Sequence, residues 1–199
     1  MAVRTVDPLT PRIAGPNSVA RWRAHARRHP LRYRVAMVAP RPIDVVRSAG
    51  GWLFDRATAG WEVTVLVREH THIRSLEILG ATVLDFEHAL AGQVHDIWPQ
   101  TLAIDPAMYT SDSRVRRGVL GCLDTGEIEI GVWGELPSEL ESRVSPTAYR
   151  ISVAGRAFKK CALRAAGCPG ETVTTEEWLQ FSETPAPGTQ WGTRLVAVR

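Results

Sequence analysis

Residues 34–67, RVAMVAPRPIDVVRSAGGWLFDRATAGWEVTVLV, decide the fold. Val35, Met37 and Val38 form a short apolar run that stops at Ala39-Pro40. From Ile43 to Ala59 the spacing turns helical, with Val45, Val46, Ala49, Leu53, Phe54 and Ala57 on one broad face. Gly60 ends that helix, and residues 61–67 are a β-branched run. A strand, a helix of this length and a second strand make a βαβ unit, so the two strands lie parallel in one sheet.

Composition bounds the rest. The chain has 199 residues and 44% hydrophobic residues, enough for one α/β domain with a proper core. No run of eighteen apolar residues exists, so no membrane-spanning helix is expected. The first thirty residues lack an apolar signal core, and Pro8, Pro11 and Pro16 interrupt any amphipathic targeting helix. Cys122, Cys161 and Cys168 show no metal-type spacing and an odd count, which points to a reduced, cytoplasmic setting. Charge is uneven. Residues 1–41 carry nine Arg and one Asp, a net of +8, whereas the remainder carries −5, giving +3 overall. The chain therefore divides into a basic N-terminal arm, residues 1–32, and an α/β domain, residues 33–199. Within the arm, residues 1–17 lack periodicity, and a helix from Val19 to His29 is capped by Ser18 and closed by Pro30. Its Arg21, Arg23, Arg27 and Arg28, with Trp22, could contact nucleic acid or lie on the acidic body.

Beyond Val67 the pattern predicts a helix over 73–79 ended by Gly80, a strand over 82–86, a polar linker to Gln100 and a strand over 101–105. A helix begins at Asp112 or Ser113 and closes at Gly126, and an alternating strand over 127–133 is expected to expose one face. Ser145-Pro146 reads as the start of a helix to Ala166, with Ile151, Ala154, Phe158, Cys161 or Ala162, and Ala165 as its buried stripe. Arg156, Lys160 and Arg164 share a ridge on it, with Lys159 beside them, suited to an acidic partner or phosphate. Thr174 to Glu177 reads as a capping box for a short helix with Trp178, Leu179 and Phe181, and residues 193–198 as a final strand. The architecture expected is a three-layer α/β domain with a largely parallel, Rossmann-like sheet.

Ligands bind such sheets at the carboxyl ends of the strands. Those ends hold Arg41 and Asp44, then residues 68–72, then Asp105 and the segment from Tyr109 through Asp112 to Arg114. Asp44, Asp105 and Asp112 are the candidate acid–base carboxylates. No G-x-G-x-x-G and no Walker loop is present, so no nucleotide cofactor is expected. Gly50-Gly51 lies inside the helix and suits close packing against the sheet. His70, His72, His88 and His95 have a weak metal-like spacing better read as solvated surface. Cys122 falls within a helix and reads as a buried thiol rather than a nucleophile. Trp52, Trp61 and Trp133 read as packing.

These motifs resemble a family. Zinc-dependent N-deacetylases of the LmbE or PIG-L type carry A-H-P-D-D-E after the first strand and a helix with Ala-Gly-Gly. This chain has Pro40-Arg41-Pro42-Ile43-Asp44-Val45 and then Ala49-Gly50-Gly51 at the same spacing. Residues 59–65, AGWEVTV, are similar to the family's A-G-H-E-V-T-V, and Arg74-x-x-Glu77-x-Leu79-Gly80 to its R-x-x-E…L-G. Thr110-Ser111-Asp112-Ser113-Arg114 stands where the family has H-P-D-H-R, and Lys159-x-x-Ala162-Leu163 resembles its K-x-x-A-L. The echoes run in family order over residues 34–166.

The resemblance implies zinc ligands at positions 41, 44 and 113 and a general base at 43. Those positions hold Arg41, Asp44, Ser113 and Ile43. One carboxylate cannot make a catalytic zinc site, and isoleucine cannot take a proton from water. Arg41 paired with Asp44 or Asp112 would supply the charge in the metal's place. The expectation is thus a degenerate member with no metal, acting as a non-catalytic binding or regulatory protein for an acidic or small-molecule ligand. The alternatives are a divergent hydrolase with a rearranged carboxylate site and a nucleic-acid-associated protein using the arm. Truncation before Gly15 should lower the melting temperature by less than about 5 °C, checked by thermal denaturation of full-length and shortened chains.

Overall fold

The computed structural model describes residues 18–28, 32–91 and 98–182. In chain order the elements are α1 (Val19–Arg28), β1 (Arg34–Ala39), α2 (Pro42–Thr58), β2 (Glu62–Val67), α3 (Arg74–Ile78), β3 (Thr82–Asp85), α4 (Phe86–Ala91), β4 (Thr101–Ile104) and α5 (Pro106–Ser111). There follow α6 (Ser113–Thr125), β5 (Glu129–Trp133), a 3-10 turn (Ser138–Leu140), β6 (Val144–Arg150), α7 (Val153–Ala165) and β7 (Glu176–Ser182). The strands form one sheet in the order β3-β2-β1-β4-β5-β7-β6. The first five are parallel, and β7 joins β5 antiparallel, with β6 antiparallel to β7 at the edge. Helices cover both faces, as the three-layer reading required.

One core lies between the sheet and α2, α3 and α7, built from alternate strand residues such as Val35, Met37, Val65 and Leu179. The other face packs Val38, Ile104, Ile130 and Val132 against α4, α5 and α6. Strand order reverses beside β1, whose neighbours are β2 and β4. That reversal opens the crevice above β1 and β4.

Two expected helices are strands in part. Residues 144–150 form the edge strand, where Pro146 is tolerated because an outer strand needs no further ladder partner on its free side. The helix begins instead at Ser152, whose hydroxyl accepts from the Gly155 N–H at 2.8 Å. Asp55 fixes this junction by accepting from the Ser152 N–H and the Tyr149 hydroxyl at 2.9 and 3.0 Å. Likewise residues 176–182 form β7, because Glu177 and Leu179 point inward while Trp178 points out, a period of two rather than 3.6. β5 also departs from expectation. It lies inside the sheet between β4 and β7 with residues 130–133 buried, so neither face is open. The strand expected over 193–198 and the first seventeen residues lie outside the described residues.

The buried stripe of α7 differs from the expected one. Gly155, Lys159, Ala162 and Leu163 face inward, while Phe158 is 44% exposed. Lys159 turns inward because it closes a buried polar network. Its ammonium donates to Glu177 Oε1 at 2.6 Å and to the Arg47 carbonyl at 2.5 Å. Glu177 in turn accepts from the Gly51 and Trp52 N–H groups at 2.8 and 2.7 Å. In an unbroken helix the Gly51 N–H would bond the Arg47 carbonyl. Here the ion pair is inserted between them, and Ala49, at φ −138° and ψ 15°, marks the break.

Gly51 serves this insertion. A Cβ on it would lie 2.4 Å from Ile151, whereas one on Gly50 would sit at ordinary contact distance, 3.4 Å, from Leu79 and Lys159. The close approach is to α7 and its leading residue, not to the sheet as expected. Removing one partner of a buried pair leaves the other charge stranded. Lys159→Met should therefore destabilise the domain by about 3–5 kcal/mol, whereas Lys160→Met, on the exposed side of the same helix, should change it by less than about 0.5 kcal/mol. Urea denaturation of both variants checks the contrast.

Candidate functional site

The crevice is built where β1 and β4 end. Asp105 follows β4 directly and caps α5, its Oδ1 accepting from the Ala107 N–H at 2.8 Å. Its Oδ2 accepts from the Trp133 indole N–H at 3.2 Å. Burial raises the Asp105 carboxyl above its usual range, against the lowering effect of those two donors. On the β1 side, Pro42 opens α2, with Arg41 at its N-cap and Asp44 in its first turn. Arg41 grips Asp44 with two parallel hydrogen bonds, Nε to Oδ2 at 3.0 Å and Nη2 to Oδ1 at 2.8 Å. That bond raises the Arg41 pKa further. Of the two partners expected for Arg41, Asp44 is the one it takes.

Asp112 belongs to a separate cluster. It is 7% exposed and caps α6 through the Arg114 N–H at 2.9 Å. The Arg114 guanidinium reaches back to it at 2.7 Å, and Arg68 reaches it from the end of β2 at 2.5 Å. Arg114 also holds Glu87 with two contacts of 2.9 Å. The Arg114 hydrogen bonds hold the Asp112 carboxyl far below the usual carboxylate range, despite burial, with Arg68 adding to the effect. Both guanidiniums lie near the Phe86 ring, Arg68 at 5.1 Å and Arg114 at 5.4 Å from its centroid.

The sequence places Arg68 at a strand end but gives it no partner or role, and Glu87 is absent from the candidate residues. Glu87 carried no signal, because its role depends on α4 folding beside α6. Tyr109 is only 2% exposed and donates its hydroxyl to Glu139 at 2.6 Å. Burial, helped by Glu139, pushes its pKa up to about 12. It acts as a strut between α5 and the 138–140 turn.

The remaining candidates are dispersed. Asp85 lies between two histidines, with His70 Nε2 3.0 Å from Oδ2 and His88 Nδ1 2.9 Å from Oδ1. Each ring takes a different oxygen, so the set does not converge on one point. His95 is outside the described residues. Among the described residues, no group of three or more His, Cys, Asp or Glu is arranged to hold a metal ion. Cys122 is half-buried, and burial raises its thiol pKa, which disfavours the reactive thiolate. On the ridge, Lys160 and Arg164 are exposed and Arg156 is partly buried, while the adjacent Lys159 is buried in the network with Glu177. No helix among the described residues is long and apolar enough to cross a membrane.

No protein-family model matches the sequence, and no curated protein matches it. Solved structures do match. The A40926 pseudoaglycone deacetylase Dbv21 aligns with a TM-score of 0.55 at 14% identity, over 78% of this chain and 99% of that one. A deacetylase of the teicoplanin biosynthesis pathway, in complex with teicoplanin, aligns with a TM-score of 0.53 at 13% identity, over 74% and 97%. The zinc-inhibited form of teicoplanin deacetylase Orf2 aligns with a TM-score of 0.52 at 12% identity, over 74% and 97%. The chain shares their fold. At these identities the likeness is one of architecture, and the site must be argued from its own residues.

For Asp112 the sign of the pH dependence follows from its lowered folded-state pKa. Its contribution is fully present above the unfolded value near pH 4 and fades as pH falls below that. Asp112→Asn should cost about 1–3 kcal/mol at neutral pH, and the gap between variant and wild type should narrow steadily from about pH 4 downward. Denaturant titrations at several pH values check it.

Proposed function

We propose that this domain is an LmbE/PIG-L-type fold in which Arg–carboxylate pairing stands in for the metal centre, and that it binds a small polar or acidic ligand at the crevice without hydrolysing it. The observation that carries this reading is the two-point grip of Arg41 on Asp44. In the arrangement implied by the resemblance, Asp44 is the one matched position that retains a ligating side chain, and both its oxygens are engaged by a guanidinium.

A catalytic zinc needs three N, O or S donors and an open position. Arg41 is a fixed cation with no lone pair to offer, Ile43 has no donor, and Ser113 is a weak one. These residues do not fit the metal, and no step is routed through one. What they can do is recognise. Arg41 is half exposed and Arg68 and Arg114 are partly exposed; Arg41 and Arg68 follow strand ends, and Arg114 stands in the first turn of α6. A carboxylate or phosphate on a ligand can share their remaining donors.

A second reading, a divergent hydrolase, has one observation in its favour. Asp105 stands at the strand-order reversal with its proton affinity raised by burial, as a general base or acid requires. Among the described residues its side-chain partners are the Ala107 N–H and the Trp133 indole, neither a nucleophile, so binding without turnover is the better account.

Wild-type protein should contain far less than one zinc per chain and release no acetate from N-acetylated amines or amino sugars. The triple variant Arg41→His, Ile43→Asp, Ser113→His should gain zinc affinity if positions 41, 43 and 113 are the counterparts the resemblance implies. Elemental analysis of both proteins, purified side by side, tests this. Near one zinc per wild-type chain, lost in Asp44→Ala, would overturn the proposal, and no zinc in either would remove the support of the resemblance. Acetate release lost in Asp105→Asn would favour the hydrolase.

A further inference from the structure

The sheet face opposite α2 and α7 carries a cavity of about 250 Å³ whose wall is almost entirely apolar. Its floor takes in Ala36, Val38, Leu66, Leu84, Leu102 and Ile104 from the four neighbouring strands β1 to β4, and its roof comes from α1, α4 and α6. A second, more open hollow adjoins it at Trp98, Pro99, Gly118 and Cys122, which gives it a mouth. Neither Arg41 nor Asp44 lines this cavity.

The geometry points to a binding site for an uncharged, mostly hydrocarbon small molecule bearing one hydrogen-bond acceptor, such as an aliphatic ester. Three observations set that class. Size comes first, because an apolar protein cavity of roughly 150 Å³ stays dry and accepts a benzene ring, and this one is larger. Shape comes second. The floor is broad, with Ala36 beside Leu102 and Val38 beside Ile104, only two residue steps along the strands at about 3.3 Å of strand per residue, and with Leu66 and Leu84 alongside them, so a flexible aliphatic chain that can fold to fill it suits it.

Charge and polarity come third. The two arginines at the ends are engaged, Arg34 by Glu62 at 3.1 Å and Arg114 by Asp112 and Glu87. An anionic head group would have to displace a carboxylate to reach either. The indole N–H of Trp22, on the roof, is buried and has no hydrogen-bond partner among the described residues. A buried donor without a partner is costly, and one neutral acceptor on a ligand would satisfy it.

Methyl octanoate and octanoate make a matched pair of probes, one neutral and one anionic. Calorimetric titration of the full chain should show saturable binding of one ester per chain, with octanoate binding more weakly. Trp22→Phe keeps an aromatic ring but removes the donor, and should weaken the ester at least about fivefold. A Cβ on Gly118 would meet nothing within 4 Å. Gly118→Leu should therefore fill the space, abolish ester binding and leave the melting temperature unchanged or higher, since glycine is a poor helix former. Absence of saturable ester binding to the full chain would overturn the proposal, as the cavity would then be closed or filled by the chain itself. Tighter binding of octanoate than of its ester, or ester binding unaffected by Gly118→Leu, would overturn it as well.

Discussion

One ion pair holds three elements together, and the rest of the domain is arranged around it. Lys159 of α7 and Glu177 of β7 meet inside the hydrogen-bond ladder of α2. The pair therefore satisfies four partners at once: two exposed-by-the-break N–H groups, one released carbonyl and each other's charge. A buried ion pair is a weak source of net stability, because desolvation offsets much of the attraction. Its value here is geometric. It fixes where α2 breaks, and so fixes how the first half of α2 sits over the end of β1. Alanine would not serve at Gly51 without moving Ile151, so that glycine and the charges act as one device.

How much of this was legible in the sequence depended on the range of the signal. The β1–α2–β2 unit was readable because alternation and helical spacing are local and strong. Gly126, at φ 66°, closes α6 where the pattern said it would. The misreadings share a cause. Ser145-Pro146 is a sound helix-start signal, but its position beside an open sheet edge decided its conformation, and edge position is a property of the whole fold. Glu177 looked like part of a polar helix start because nothing nearby reveals that its partners lie at residues 47–52 and 159. A buried lysine on an amphipathic helix reads as solvent-facing until its carboxylate is placed.

The crevice divides in the same way. Its location followed from strand ends, and the Arg41–Asp44 pair from three-residue spacing on a helix start. The second cluster was only half visible, since Asp112 and Arg114 are two residues apart in sequence while Arg68 and Glu87 arrive from other elements. α5 went unread because its six residues are too few to show a period. Tyr109 changes meaning on that short helix, since the turn carries its hydroxyl to Glu139 rather than toward the crevice.

The two ion pairs at α2 contrast in their exposure. A zinc centre of the kind the resemblance implies balances a dication with one ligating carboxylate, one base carboxylate and two neutral imidazoles. In this chain Arg41 balances Asp44, with Glu69 and Asp105 near enough to feel the pair. That pairing differs in consequence from the buried one. Lys159–Glu177 is sealed from water and cannot exchange partners without a large penalty. The Arg41 side chain is 51% exposed, and an exposed pair contributes roughly 0–1 kcal/mol. A ligand carboxylate or phosphate can therefore share or replace Asp44 on that guanidinium at little cost to the fold. The rigid pair holds α2 in place, and on the function proposed above the exchangeable one, in the first turn of the same helix, is the one that would meet a ligand.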